Sequence, residues 1–470
     1  MALLLPLLVL LLPIIMLPFV ATVEGGVPPP EFSLLSDFTG GKFFEGFDFF
    51  TDHDPTDGCV EFLSEDDARA AGLTGTDATG QVFMRTDNTT LNPKDRSGKT
   101  ARQSVRVSSK RAFDPKEQID QSGTGAVMVV LDVAHMPTGC GVWPAFWMNS
   151  ILGTWPSQGE IDMIEGVNVN AANTYTLHTD NKHGGCSQLS SPTSEFSGHW
   201  ITNKIGTQNA TNCWVDYPGQ DHNQGCSVGA PPTDPLGPHS YGAPFNAAGG
   251  GVYVMLWDYT KPSGPPPMPP AVHQDGQIAL WYFQRESAPT DLLDATGHPQ
   301  PPQSLPMGRF HTSEQDCPAV HFNQQQIIFD ITLCGQWAGR EFSHDCPAQA
   351  KSYESQGMDT YAACEAWAGA NPAAFTESSW EINSLRVFAT TAAAPAGGGK
   401  PTEHKPDNHT WTAVLLVVAV VVVMLGAGLF VARQRLKSGG GALSAPINDD
   451  SVWASTSTST GDQWGGGEGW

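Results

Sequence analysis

Within Gly159-Glu160-Ile161-Asp162-Met163-Ile164-Glu165-Gly166, three carboxylates fall in six residues among Ile and Met side chains that favour burial. Acids are depleted from strands and Ile is enriched, so the three should emerge on one face of a buried strand. Alternation with period two puts Glu160 and Asp162 on one face and Glu165 on the other. A single β-bulge around Met163-Ile164 returns Glu165 to the face of Glu160. Along a strand at ~3.3 Å per residue the two glutamates start roughly 13–16 Å apart. Twist, the bulge and inward-leaning side chains can bring their carboxyls to about 5–5.5 Å, where one acid attacks a glycosidic carbon and the other protonates the leaving oxygen. Asp162, on the same face, would keep a neighbouring carboxylic acid protonated by like charge and orient the nucleophile. Three acids could instead bind Ca²⁺. A calcium loop, however, carries Gly and Asn inside the acidic run, where this chain has Ile-Asp-Met-Ile.

Trp143, Trp147 and Trp155 precede the strand. Flat indole faces suit the apolar C–H faces of sugar rings, and core packing is the competing role for each. Trp147 and Trp155 are the stronger candidates for sugar contact. His178, in Tyr175-Thr176-Leu177-His178-Thr179, can point the same way from the next strand, or can be a satisfied structural histidine.

The elements that must position these groups are strands. Short apolar-alternating runs recur from Glu31 to about Phe388: Gln81–Arg85, Ser104–Val107, Ala126–Val133, Gly251–Trp257, Ile278–Phe283, Gln326–Thr332 and Trp380–Phe388. Many strands with almost no helical periodicity predict an all-β antiparallel sandwich. One helix is expected over Ser352–Ala370, with Tyr361, Cys364, Trp367 and Ala368 at helical spacing. Lys261–Gln277, with six prolines in its first ten residues, reads as a long stiff hairpin excursion. Ser287–Pro306 reads as a second inserted loop.

The net charge of −24 argues against a nucleic-acid surface. Residues 1–25 read as a secretory signal. The domain of 31–389 is followed by a linker, 390–410, and an apolar run, 411–432, long enough to span ~30 Å of hydrocarbon as a transmembrane helix. Arg433, Arg435 and Lys437 place the Gly/Ser/Thr-rich tail, 433–470, in the cytosol. The expected topology is a single-pass type I membrane protein with its catalytic domain at the cell surface or in the secretory lumen. All nine cysteines lie in the ectodomain, so disulfides are expected and at least one thiol is left over. Asn88, Asn209 and Asn408 head glycosylation sequons.

Trp-Pro-Ala-Phe-Trp at 143–147, the Gly159–Gly166 run and Leu177-His178-Thr179 together resemble glycoside hydrolase family 16, and most closely its fungal-type laminarinases, the endo-1,3(4)-β-glucanases. Lys42–Phe50, Ala134–Pro137, Gly249–Tyr253, Ile328–Gly335, Asn371–Phe375 and Ile382–Ser384 extend the resemblance over roughly residues 37–388. The resemblance implies a concanavalin A-like β-jelly-roll with a concave active-site cleft and double-displacement hydrolysis, with Glu160 as nucleophile, Glu165 as general acid/base and Asp162 assisting. It places Trp147, Trp155 and His178 along the sugar subsites and makes β-glucan the partner. It implies no cofactor for the chemistry and leaves room for a structural calcium ion away from the cleft, with no ligands assigned. Two other readings compete: a glucan transglycosylase that remodels cell wall, and a non-catalytic glucan receptor signalling through its tail.

Overall fold

The computed structural model describes residues 31–390 except 96–97, 120–122, 189–192, 204–207, 231–236 and 261–273. Its strands are β1 (Phe32–Phe38), β2 (Phe47–Phe49), β3 (Val60–Phe62), β4 (Thr74–Thr76), β5 (Val82–Arg85) and β6 (Arg102–Ser104). There follow β7 (Arg106–Phe113), β8 (Thr124–His135), β9 (Val142–Ser150), β10 (Glu160–Glu165), β11 (Thr174–His178) and β12 (His199–Trp200). The last six are β13 (Cys226–Gly229), β14 (Gly251–Thr260), β15 (Gln274–Gln284), β16 (Gly308–Ser313), β17 (Gln325–Leu333) and β18 (Ser379–Thr390).

Two eight-stranded antiparallel sheets face one another. One runs β16-β15-β14-β8-β18-β5-β4, with β1 also paired to β18, and the other runs β12-β13-β11-β10-β9-β17-β7-β2. This is the expected sandwich. Phe43, Phe47, Val129, Leu131, Phe146, Met148, Ile161, Tyr175, Phe329 and Trp380 are among the residues that fill the space between the sheets. Ala126–Leu131 and Val252–Trp257 are continuous apolar runs because the first sheet is buried on both faces. Its outward residues Met128, Val130, Val252, Val254 and Trp281 pack under Ala288, Leu292 and Leu293. Trp281 also donates its indole N–H to the Ser304 carbonyl at 2.9 Å. The Ser287–Pro306 segment is therefore a cover for that sheet.

Three expectations change. The helix over Ser352–Ala370 is two helices, Pro347–Glu354 and Thr360–Ala370. Gly357 turns left-handed between them (φ +86°), and Asp359 caps the second by accepting the Ala362 N–H at 2.8 Å. The four residues at helical spacing all lie in the second. Of the excursion expected over Lys261–Gln277, Gln274 to Gln277 belong to β15, and residues 261–273 lie outside the described residues. Thr390, expected to open the linker, ends β18.

Four disulfides join Cys140–Cys346, Cys186–Cys317, Cys213–Cys226 and Cys334–Cys364, leaving Cys59 as a buried thiol. Burial pushes that thiol up to about 12, so it stays protonated and unreactive. No helix among the described residues is long and apolar enough to cross a membrane. The leader 1–25, residues 391–410 of the linker with Asn408, the span 411–432 and the tail 433–470 all lie outside them.

Candidate active site

The open face of the second sheet carries the carboxylates. Glu160 pairs with Asn149 of β9, Asp162 with Trp147 and Glu165 with Ala145, while Ile164 pairs with Phe146. Met163 has no partner, which makes it the extra residue of a bulge. Met163 and Ile164 are both buried in the core, so Glu165 regains the face of Glu160 and Asp162. A bulge frees backbone groups that must find other partners. Asn173 supplies them: its carboxamide oxygen accepts the Glu165 N–H at 3.0 Å, and its nitrogen donates to the Met163 carbonyl at 2.9 Å. Gly159 opens the strand at φ +81°, and a Cβ there would lie 2.4 Å from the His321 carbonyl oxygen. Only glycine fits.

Each tryptophan singled out in the sequence is half-buried and donates its indole N–H to an acid. Trp155 donates to Glu160 Oε2 at 2.8 Å, Trp143 to Glu165 Oε1 at 3.0 Å and Trp147 to Asp330 Oδ2 at 2.9 Å. His178 pairs in register with Glu160. Its Nε2 lies 3.7 Å from Glu160 Oε1 and 3.2 Å from Asp162 Oδ2, the latter without hydrogen-bond alignment. The ring of Trp155 is centred 6.4 Å from that of His178. All three acids and all four candidate sugar-contacting residues therefore converge on one cleft.

Two further residues join them that the sequence reading did not single out. Asp330 of β17 lies across Ala145 from Glu165 and pairs with Arg106 of β7. The Arg106 guanidinium sits 5.1 Å from the centre of the Trp147 ring. Asp330 carried the same signal as Glu160 and Asp162, an acid inside the apolar run Ile327-Ile328-Phe329-Asp330-Ile331. Asn173 carried no signal, because an isolated Asn before a strand is ordinary turn composition.

The charge balance follows from burial. Side-chain exposure is only 13% for Glu160 and 4% for Asp162. Burial, and then the like charge of Asp162, lifts Glu160 and Glu165 each to about 8. Burial and then Asp330 push Asp162 well above the usual carboxylate range. Burial lifts Asp330 to about 6 against the pull of Arg106. The cluster thus retains protons at neutral pH, as acids crowded in a low dielectric must.

Donor atoms of Glu160, Asp162 and His178 lie within 4.8 Å of one another, close enough to suggest a cation site. The histidine argues otherwise. Ligation through Nε2 would move the ring proton to Nδ1, which is buried with no hydrogen-bond partner. A Cβ on Gly225 would come within 2.9 Å of that nitrogen, so the loop closes over it. The proton belongs on Nε2, facing the acids.

Paired carboxylates in a half-open, indole-lined cleft define the chemistry of glycoside hydrolysis. The model of the XgeA-like, catalytic GH16 domain matches residues 47–388. A probable glycosidase of Schizosaccharomyces pombe is 35% identical over 358 residues, covering 76% of this chain and 69% of the relative. A probable endo-1,3(4)-β-glucanase of Aspergillus niger is 34% identical, covering 78% of this chain and 41% of the relative, so this chain spans less than half of that protein. Among solved structures, an elongating GH family 16 β-1,3-glucosyltransferase is 31% identical with a TM-score of 0.58, covering 76% of this chain and 99% of that one. Laminarinase 16A from Phanerochaete chrysosporium, solved with β-glucans in donor and acceptor sites, is 31% identical over the same shares with a TM-score of 0.54. The chain belongs to glycoside hydrolase family 16, and its sandwich is that family's jelly-roll.

Proposed function

We propose that the protein is a retaining endo-β-glucanase that cleaves β-1,3 or mixed 1,3/1,4 glucans. The observation that carries this reading is the bulged β10, which turns two glutamates and an aspartate into one cleft. In the proposed sequence Glu160 attacks the anomeric carbon while Glu165 protonates the leaving oxygen. Water then enters, Glu165 takes its proton, and the ester to Glu160 breaks. Burial lifts both glutamates to about 8, so their roles divide by surroundings. Each glutamate accepts one indole N–H, Glu160 from Trp155 and Glu165 from Trp143, and His178 Nε2, 3.7 Å from Glu160 Oε1, favours the Glu160 anion. That anion and the crowding by Asp162 keep the remaining proton on Glu165. Trp143, Trp147, Trp155 and His178 line the sugar path.

The membrane placement belongs to the same proposal. The uncharged run 411–432, followed by Arg433, Arg435 and Lys437, supports an anchor that leaves the catalytic domain outside the cytosol. Laminarin incubated with the protein is expected to gain reducing ends. Glu160→Ala should reduce the rate by about 10³-fold or more, the scale of losing a nucleophile. Equal rates for the two proteins would refute the reading.

A further inference from the structure

The two glutamates are held by different means. Glu160 lies on the regular part of β10, in register with Asn149 on one side and His178 on the other. Glu165 follows the register break, where the ladder alone does not fix the chain. Side chains take over there. The Glu165 N–H goes to the Asn173 carboxamide, and the carbonyl of the next residue, Gly166, accepts the Tyr241 hydroxyl at 2.7 Å. A Cβ on Gly166 would lie 2.8 Å from Tyr241 Cζ, so the missing side chain lets the phenol reach that carbonyl. Burial, and then the charge of Glu165, hold the phenol well above its ordinary range, and it stays a donor.

Asn173 is itself fixed at its backbone. Its N–H donates to Ser240 Oγ at 3.0 Å, and its carbonyl accepts the Ala230 N–H at 3.0 Å. Ser240 Oγ donates in turn to the Gly237 carbonyl at 2.7 Å. Ser240 and Tyr241 are consecutive, so one dipeptide holds Glu165 from both sides, directly at Gly166 and through Asn173 at the N–H. The dipeptide hangs from the opposite sheet. Tyr253 of β14 donates its hydroxyl to the Ser240 carbonyl, and Tyr282 of β15 donates to the His239 carbonyl at 2.9 Å. The two tyrosine rings pack with centres 5.1 Å apart. Ser240 and Tyr241 are both buried in the core, out of reach of a substrate.

We propose that Ser240 and Tyr241 are positioning residues for the acid/base carboxyl, fixing Glu165 from the covered sheet and leaving Glu160 to the strand ladder. The proposal rests on the roles given to the two glutamates above. Glu165 must give a proton to the leaving oxygen and later take one from water, so its carboxyl has to stand in the same place in both steps. A displacement of about 1 Å costs on the order of 10²-fold in rate. Losing the brace therefore weakens proton transfer and spares the attack by Glu160.

The test compares two substrates on the full chain, laminarihexaose and 2,4-dinitrophenyl β-laminaribioside, and reads kcat/KM, which reports formation of the ester on Glu160. The sugar leaving group of the first needs the Glu165 proton, whereas dinitrophenolate departs as a stable anion. Tyr241→Phe and Ser240→Ala are each expected to lower kcat/KM on laminarihexaose about tenfold, part of the 10²–10⁴ that a general acid supplies. On the dinitrophenyl substrate both variants should match wild type, which also shows that they are folded. Equal loss on both substrates in the two variants would mean general disruption of the core. No loss on either substrate would mean that the backbone holds Glu165 unaided. Each of these results overturns the positioning role and leaves the glucanase standing. A wild type that turns over neither substrate would overturn the glucanase reading itself.

Discussion

The two sheets bury carboxylates in opposite ways. In the first, Asp132 of β8 accepts two bonds from Arg285, at 2.6 and 3.0 Å, and one from Asn383 at 3.0 Å. In the second, Glu160, Asp162 and Glu165 face one another, with neutral indole donors and a histidine for company. A buried acid with a guanidinium partner is a structural element. A buried cluster without one holds protons that are available to a substrate. The difference follows from what covers each outer face. Ala288, Leu292 and Leu293 close over the first sheet, while the second is left open along a row of polar side chains.

The same chemical change in the two sheets should therefore have opposite consequences. Glu165→Gln is expected to lower kcat by about 10²–10⁴, the range for a general acid/base. It should also stabilise the fold at pH 8. The folded-state carboxyl is held at about 8 against an ordinary 4.5, so the native protein keeps a proton that the unfolded chain loses. Stability falls as pH rises through that window, and the glutamine variant escapes the loss. Its melting temperature should exceed that of wild type at pH 8 and match it at pH 4. Asp132→Asn should do the reverse, keeping activity while costing about 1–3 kcal/mol from the weakened network. A lower melting temperature for Glu165→Gln at pH 8 would break the contrast.

Asn173→Ala probes the bulge and should have the next largest effect. It leaves the Met163 carbonyl and the Glu165 N–H without side-chain partners, a loss of about 1–3 kcal/mol for each buried group. Denaturant unfolding reads the stability, and kcat should fall with it because Glu165 is no longer held in place. Unchanged kcat at reduced stability would show that the bulge keeps its geometry without Asn173. The smallest effect belongs to Asp330→Asn. Removing that charge lowers the proton affinity of Asp162 and Glu165, so the alkaline limb of the pH–rate profile should move to lower pH. An unmoved limb would show that Asp330 acts only through its bond to Trp147.

Much of this was legible because β-structure writes its faces into the chain. The parity of Glu160, Asp162 and Glu165 called for a bulge, and Met163 occupies it. The runs at 126–133 and 251–257 read as strands, and the fold makes them neighbours, β8 and β14, inside the doubly covered sheet. What stayed hidden depends on distant partners. Asp330 meets Glu165 only because β9 lies between β10 and β17, and the Ser287–Pro306 cover looked like a loop because its few apolar anchors are spread among turn residues. The helix break at Gly357 was written locally, as a glycine followed by the capping pair Asp359-Thr360, and was overridden by the regular spacing beyond it.

The central claim is that Glu160 and Glu165 act in succession through a glycosyl-enzyme. The most direct measurement is the anomeric configuration of the first product released from a β-1,3-glucan oligosaccharide, followed by proton NMR before mutarotation. The β-anomer is expected first, because two displacements restore the starting configuration. Initial release of the α-anomer would mean a single displacement and contradict the account.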